Sequence, residues 1–160
     1  MRTNIIRFIS MLALMIGCSS TSAKAEAQNW LLPQDGESWH FYGNPALGYW
    51  PGVTVGNGFQ LGPILAPSFQ SDTWTRTRYE PRGHYFCFSY RGELSTHGVF
   101  QATAGSFGQS FNSLNGNWQF FETWVQRPLF LVPNETIGFK ISGTGSWVEV
   151  KDVYWITLAQ

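Results

Sequence analysis

Glycine and proline interrupt this sequence so often that little of it can be helical. The chain of 160 residues contains 17 glycines and 8 prolines. After residue 25, no stretch of ten residues has the apolar spacing of an amphipathic helix. The segments between the breaks are rich in Trp, Phe, Tyr, Val and Thr, which favour extended strands. The sequence therefore predicts an all-β fold.

Turn signals divide the chain into about eight predicted strands. These lie near residues 38–42, 58–61, 72–78, 84–91, 98–104, 119–128, 136–142 and 146–158. The Gly- and Pro-rich region 49–72 interrupts this pattern, so we expect long loops there. Short strands at this spacing, with no internal repeat, predict a single antiparallel β-sandwich over residues 26–160.

Residues 1–25 have the pattern of an export signal peptide. Arg2 and Arg7 supply positive charge, and the apolar run at 8–17 is too short to span a bilayer. One reading places cleavage after Ala25, at a small-x-small sequence. We expect an exported bacterial protein that is secreted, periplasmic or associated with the outer membrane or cell surface.

A second reading of the same segment is a lipoprotein signal that ends at Gly17. The sequence 15–20 resembles a bacterial lipobox, in which Cys18 would become a lipidated N-terminus. Both readings stay open. Membrane contact is expected only through that lipid anchor.

The charge after export excludes nucleic acid as an expected partner. Loss of residues 1–25 removes three basic residues and no acid, so seven basic residues remain against ten acidic ones. No basic surface is implied, and phosphate binding requires one. Cys87 then has no mate for a disulfide if the cut follows Ala25, and its apolar surroundings predict a buried thiol.

The last predicted strand contains an aspartate where an apolar residue is expected. Alternate residues of a strand face alternate sides of the sheet. Asp152 has the same parity as the apolar residues Val148, Val150, Tyr154, Ile156 and Leu158. An unpaired carboxylate facing the core would be costly.

Three arrangements would remove this cost. A β-bulge near Lys151 and Asp152 would shift the parity and place Val153 and Trp155 inward. Arg91 or backbone N–H groups could satisfy the carboxylate. Asp152 could also ligate a structural calcium ion, which prefers oxygen ligands; no other cofactor is expected.

Short elements from residue 84 onward follow one another in a recognisable order. They are Phe88-Ser89-Tyr90, Trp118, Leu129, Ile137-Gly138-Phe139, Gly143, Gly145 and Asp152-Val153. This order resembles MAM domains of adhesion proteins and the jelly-roll carbohydrate-binding, lectin-like modules of secreted bacterial proteins. The resemblance implies a sandwich of jelly-roll type, and fold alone does not give function.

The sequence offers no catalytic motif, and we expect a protein that is not an enzyme. A G-x-S-x-G elbow, an H-E-x-x-H pair and a Gly-rich phosphate loop do not occur. Glycoside hydrolysis needs two facing carboxylates, and no spacing in the sequence pairs the available acids.

Three aromatic stretches are candidate ligand sites. Tyr49 and Trp50 lie in a predicted loop, Trp74 and Arg76 share one parity of a predicted strand, and Trp118 follows an Asn-rich turn. The alternative for each tryptophan is a place in the core. Exposed aromatic rings stack on the apolar C–H faces of sugars.

The sequence therefore predicts a non-catalytic recognition module for glycan binding or adhesion, with a glycan or a surface protein as partner. The alternative is a structural or assembly subunit of a bacterial cell-surface or envelope complex.

Overall fold

The computed structural model describes residues 27–31, 38–78, 84–125 and 134–158. Eleven strands are found there: β1 Ala27–Leu31, β2 His40–Phe41, β3 Val53–Val55, β4 Gly58–Leu61, β5 Gln70–Arg78, β6 His84–Glu93, β7 Val99–Ala104, β8 Phe107–Phe111, β9 Gln119–Val125, β10 Asn134–Ser142 and β11 Trp147–Leu158. One short 3-10 helix covers Pro45–Leu47. Among the described residues, no helix has the length and apolar character needed to cross a membrane.

The strands form two antiparallel sheets. The five-stranded sheet has the order β2-β5-β10-β7-β8. The six-stranded sheet has the order β3-β4-β11-β6-β9, with β1 paired to the last part of β11. The predicted all-β, antiparallel sandwich of jelly-roll type is confirmed. The predicted signal peptide, the cleavage after Ala25, and Cys18 all lie outside the described residues.

Aromatic rings from both sheets meet in the core. Phe86 and Phe88 of β6 are fully buried, and so is Phe100 of β7. Phe139 of β10 is almost fully buried. The Phe88 ring lies 5.1 Å from the Phe139 ring, edge to face, a favourable arrangement for two aromatic side chains. Each such buried side chain contributes roughly 1.5–3 kcal/mol through the hydrophobic effect.

Strand β5 places polar residues on its inner side. Ser71, Thr73, Thr75 and Thr77 are all buried. The Thr73 hydroxyl donates to the carbonyl oxygen of His40 (2.9 Å), and that of Thr75 to the carbonyl oxygen of Ser38 (3.3 Å). Because buried hydroxyls with partners cost little, Thr73 and Thr75 can face inward, whereas the Ser71 hydroxyl is buried without a partner among the described residues. The other side of β5 then faces solvent.

Asp152 lies at a β-bulge, as one of the three sequence-based alternatives predicted. The pairing of β11 with β6 shifts register between Lys151 and Tyr154. Asp152 has φ of 50°, a left-handed conformation that Asp tolerates better than most residues. Its carboxylate accepts a hydrogen bond from Asn57 Nδ2 (2.5 Å). After the bulge, Val153 and Trp155 are buried.

The prediction that Arg91 could be the partner of Asp152 was wrong. Arg91 instead donates from Nε to Glu149 Oε2 (2.7 Å), since both residues lie on the outer side of the six-stranded sheet. The described residues contain no group of three or more His, Cys, Asp or Glu side chains that could hold a metal ion. Calcium at Asp152 stays a prediction.

Candidate functional site

A cleft opens on the outer face of the five-stranded sheet. Residues paired across antiparallel strands share a face, so the outward side chains form rows across the sheet. The middle row runs His40, Trp74, Gly138, Thr103. One flanking row runs Asp72, Lys140, Gln101, and the other pairs Arg76 with Thr136.

Missing side-chain volume in the middle row creates the cleft, which holds about 430 Å3. Gly138 lies between Trp74 and Thr103 and has no side chain to fill the space above the strand. A Cβ at Gly138 would come within 2.8 Å of Thr103 Oγ1. That hydroxyl donates to the carbonyl oxygen of Gly138 (3.2 Å) and so lies close to the cleft floor.

Trp74 forms one wall and is held in place by its neighbours. The imidazole of His40 stacks on the indole, with ring centres 4.3 Å apart and planes 22° apart. The Arg76 guanidinium lies 5.5 Å from the centre of the Trp74 ring. In strand order, His40 lies on one side of Trp74 and Gly138 on the other. The indole is therefore a rigid apolar wall next to the space above Gly138.

Asp72 is the only carboxylate among the described residues that line the cleft. Burial raises its pKa, and the positive charge of Lys140 opposes that rise. Its Oδ1 atom is buried and receives no hydrogen bond within the described part of the chain. A buried acceptor without a donor is costly, and this cost falls on the protein itself because Oδ1 is enclosed and not open to the cleft.

The five predicted ligand residues do not form one site. Trp74 and Arg76 lie together in the cleft, as their shared parity predicted. Trp118 lies on the opposite side of the molecule, at the start of β9, where it is 41% exposed. The ammonium of Lys151 and the guanidinium of Arg91 lie 4.2 and 4.9 Å from its ring centre.

Tyr49 and Trp50 are half-buried beside the cleft rather than in it. Trp50 packs against the core, and its ring centre is 6.4 Å from that of Phe69. The Tyr49 ring is 5.5 Å from that of Tyr42, which does line the cleft. Tyr49 can therefore support a cleft residue.

Sequence reasoning missed most of the cleft. The lining residues not predicted are Tyr42, Asp72, Thr73, Gln101, Thr103, Thr136, Gly138, Phe139 and Lys140. Only Asp72 had a usable signal, since it shares strand parity with Trp74. The others reach the cleft through strand pairing over long sequence distances, which the local pattern does not contain.

Cys87 has the predicted character of a buried thiol. Its side chain is fully buried, although it points to the outer side of the six-stranded sheet. The pKa of the thiol is raised to about 12, mainly by burial and secondly by the nearby Glu122 carboxylate. A hydrogen bond with Tyr154 lowers the pKa but does not offset these two effects. A thiol in this state is a poor nucleophile.

No protein-family model and no curated protein matches the sequence. Solved structures with a similar fold include the secreted serine protease VesC of Vibrio cholerae, at 14% identity and a TM-score of 0.49. That match covers 73% of this chain and 24% of the protease, so the chain spans about a quarter of its length.

Carbohydrate-binding modules are also among the structural neighbours. The family 11 module of the cellulase Lic26A-Cel5E of Clostridium thermocellum matches at 11% identity and a TM-score of 0.42, over 84% of this chain and 88% of the module. TmCBM61, in complex with β-1,4-galactotriose, matches at 11% identity and 0.44, over 84% and 90%. At such identities the likeness concerns the fold alone.

Proposed function

We propose that the chain is a non-catalytic glycan-recognition module and that the cleft on the five-stranded sheet is its saccharide site. The observation that carries this proposal is the pairing of a fixed indole, Trp74, with the open space above Gly138. A pyranose ring has an apolar C–H face and a rim of hydroxyls. In that space the C–H face would lie against Trp74.

The flanking rows would then meet the hydroxyl groups. On one side, the Asp72 carboxylate that lines the cleft offers an acceptor, and Lys140 offers N–H donors. On the other side lie the Arg76 guanidinium and the Thr136 hydroxyl. Acceptors and donors at both ends of a ring can fix its orientation, which apolar stacking alone cannot do.

The same geometry supports binding rather than hydrolysis. Glycosidases commonly place two carboxyl groups about 5–10 Å apart around the scissile bond. Among the described residues that line the cleft, Asp72 is the only one with a carboxyl group. We therefore propose that a bound glycan leaves the cleft unchanged.

A glycan array followed by calorimetry tests this function. The wild-type protein should bind at least one soluble oligosaccharide saturably, and Trp74→Ala should weaken that binding about tenfold or more, equivalent to ~1.4 kcal/mol. The matched control is Trp124→Ala, which removes a tryptophan side chain from the other sheet. Equal loss in both variants would contradict a site at Trp74.

Export by residues 1–25 belongs to the same proposal. The intact mass of the protein recovered from outside the cytoplasm should match cleavage after Ala25, or cleavage after Gly17 with lipid added at Cys18. A mass that includes all 25 residues would contradict export by cleavage.

A further inference from the structure

The outer face of the six-stranded sheet carries a row of exposed aromatic side chains. Trp118, Phe120 and Trp124 are 41%, 55% and 45% exposed. The last two belong to β9 and the first directly precedes it, so all three share one parity and face away from the core. Together with Tyr85 of β6 and Tyr154 of β11, they form a surface that we call the aromatic platform.

The platform extends across three strands because the strand in the middle has small outward residues. Cys87 and Ser89 of β6 lie between β9 and β11. Above them, the Phe120 ring centre comes within 6.4 Å of that of Tyr154, with ring planes 29° apart. Trp124 packs against Tyr85 with ring centres 5.0 Å apart. The rings are thus held against one another on the sheet surface, with the planes of Trp124 and Tyr85 70° apart.

The charges around the platform are largely neutralised by one another. Arg91 is ion-paired with Glu149 at 2.7 Å, and Lys151 lies 3.9 Å from the Asp152 carboxylate. Both cations also lie over the Trp118 ring. Glu122 adds one exposed carboxylate. This arrangement offers no excess positive charge to a polyanion, and it favours an uncharged partner.

We propose that the aromatic platform is a second binding surface, independent of the cleft, for the flat face of an ordered, neutral, insoluble polysaccharide. From Trp118 to Trp124 the row spans six residues, about 20 Å at the usual strand rise. An ordered polysaccharide presents repeated apolar C–H faces, and a row of exposed rings along one strand, interrupted only by Glu122, meets several of them at once. Large exposed apolar patches generally mark such contact surfaces.

The test is adsorption of the purified protein to microcrystalline cellulose and to chitin. The wild-type protein should adsorb to at least one of them, with little dependence on salt because these polymers are neutral. The triple variant Trp118→Ser, Phe120→Ser, Trp124→Ser should lose about tenfold in partition coefficient, the equivalent of one decade in affinity. The cleft variant Trp74→Ala should adsorb like the wild type.

The reverse experiment separates the two surfaces. The triple variant should keep wild-type binding to soluble oligosaccharides, which Trp74→Ala loses. If the triple variant does not fold, as judged by circular dichroism, Phe120→Thr alone serves, since this ring is the most exposed of the three and should still lower adsorption. A wild-type protein that binds no soluble oligosaccharide would contradict the proposed function of the cleft. It would leave the platform proposal standing, because adsorption tests that surface separately.

Three results would overturn the platform proposal. One is a wild-type protein that adsorbs to neither polymer. Another is a folded triple variant, or Phe120→Thr, that adsorbs as well as the wild type. The third is a wild-type dimer, seen by light scattering, that the triple variant converts to monomer, because a second copy would then cover this face.

Discussion

The two outer faces of the sandwich differ in the side chains of their middle strands. On the five-stranded sheet, Gly138 of β10 leaves a gap beside Trp74, and charged residues lie on both sides of it. On the six-stranded sheet, Cys87 and Ser89 of β6 leave a similar gap, but aromatic rings from both neighbouring strands reach across it. One face is therefore recessed and polar, and the other is covered by aromatic rings with charged side chains among them.

The comparison shows that small residues in a central strand do not by themselves create a pocket. The neighbouring strands decide the outcome. Beside Gly138 only one neighbouring strand supplies a ring, Trp74, and the other supplies the short Thr103, so the space stays open. On the six-stranded sheet, rings from both neighbouring strands reach over the small residues. Both faces still depend on one core, because Phe88 and Phe139 join the two sheets through a ring contact.

The largest effect is expected from a substitution that disturbs both faces together. Phe88→Ala removes a fully buried ring and should lower the free energy of unfolding by about 3–5 kcal/mol. Urea denaturation followed by tryptophan fluorescence measures this loss. Where folding persists, oligosaccharide binding and polysaccharide adsorption should weaken together. Strong damage to one function with the other intact would mean that the faces are supported separately.

A smaller effect is expected at the bulge that separates the two parts of β11. Asp152→Val places a β-branched residue at φ of 50° and removes the hydrogen bond from Asn57, at a cost of roughly 1–3 kcal/mol. Asp152→Asn should be close to neutral, since Asn tolerates this conformation. Thermal unfolding of both variants, with and without added calcium, gives the comparison. A rise in melting temperature with calcium that Asp152→Asn abolishes would support the calcium prediction.

The cleft itself can be closed without touching the platform. Gly138→Val would place side-chain atoms where Thr103 Oγ1 already lies and would fill the space beside Trp74. Soluble oligosaccharide binding should fall about tenfold or more, or ~1.4 kcal/mol. Calorimetry measures this loss of binding. Adsorption to cellulose or chitin, which should not change, is the control. Unchanged oligosaccharide binding would show that the ligand does not enter above Gly138.

The smallest effect on the two faces is expected from a substitution of Glu135, a buried residue that belongs to neither face. Burial raises the pKa of this carboxyl to about 7, so the folded state favours its protonated form. Its stabilising contribution is complete below the unfolded pKa, near 4.5, and is lost as the pH rises through about 7. Melting temperature should therefore fall over this range, and less so in Glu135→Gln. An identical pH profile in the two proteins would contradict this.

Strand parity predicted from the sequence was reliable where a strand is long and regular. It placed Trp74 and Arg76 on one solvent-facing side of β5, and it identified Asp152 as the residue of β11 that needed a bulge, a partner or an ion. Both follow from alternation within a single strand. Strands β1, β3 and β8 were not predicted, and β3, Val53–Val55, is wholly exposed and so lacks a buried side.

What the sequence could not supply was the order of strands in each sheet. Trp74 and Trp118 looked alike as aromatic residues in polar surroundings, yet they lie on opposite sides of the sandwich. The stacking of His40 on Trp74 joins residues 34 positions apart through the pairing of β2 with β5. Such contacts depend on long-range pairing that no local pattern encodes.

The most direct measurement is a calorimetric titration of one soluble oligosaccharide, selected on a glycan array, into three proteins. The wild-type protein and the triple platform variant should bind it with the same affinity, and Trp74→Ala should bind it at least about tenfold more weakly. Saturable binding that survives unchanged in Trp74→Ala would contradict a saccharide site in the cleft, as would the absence of any array ligand.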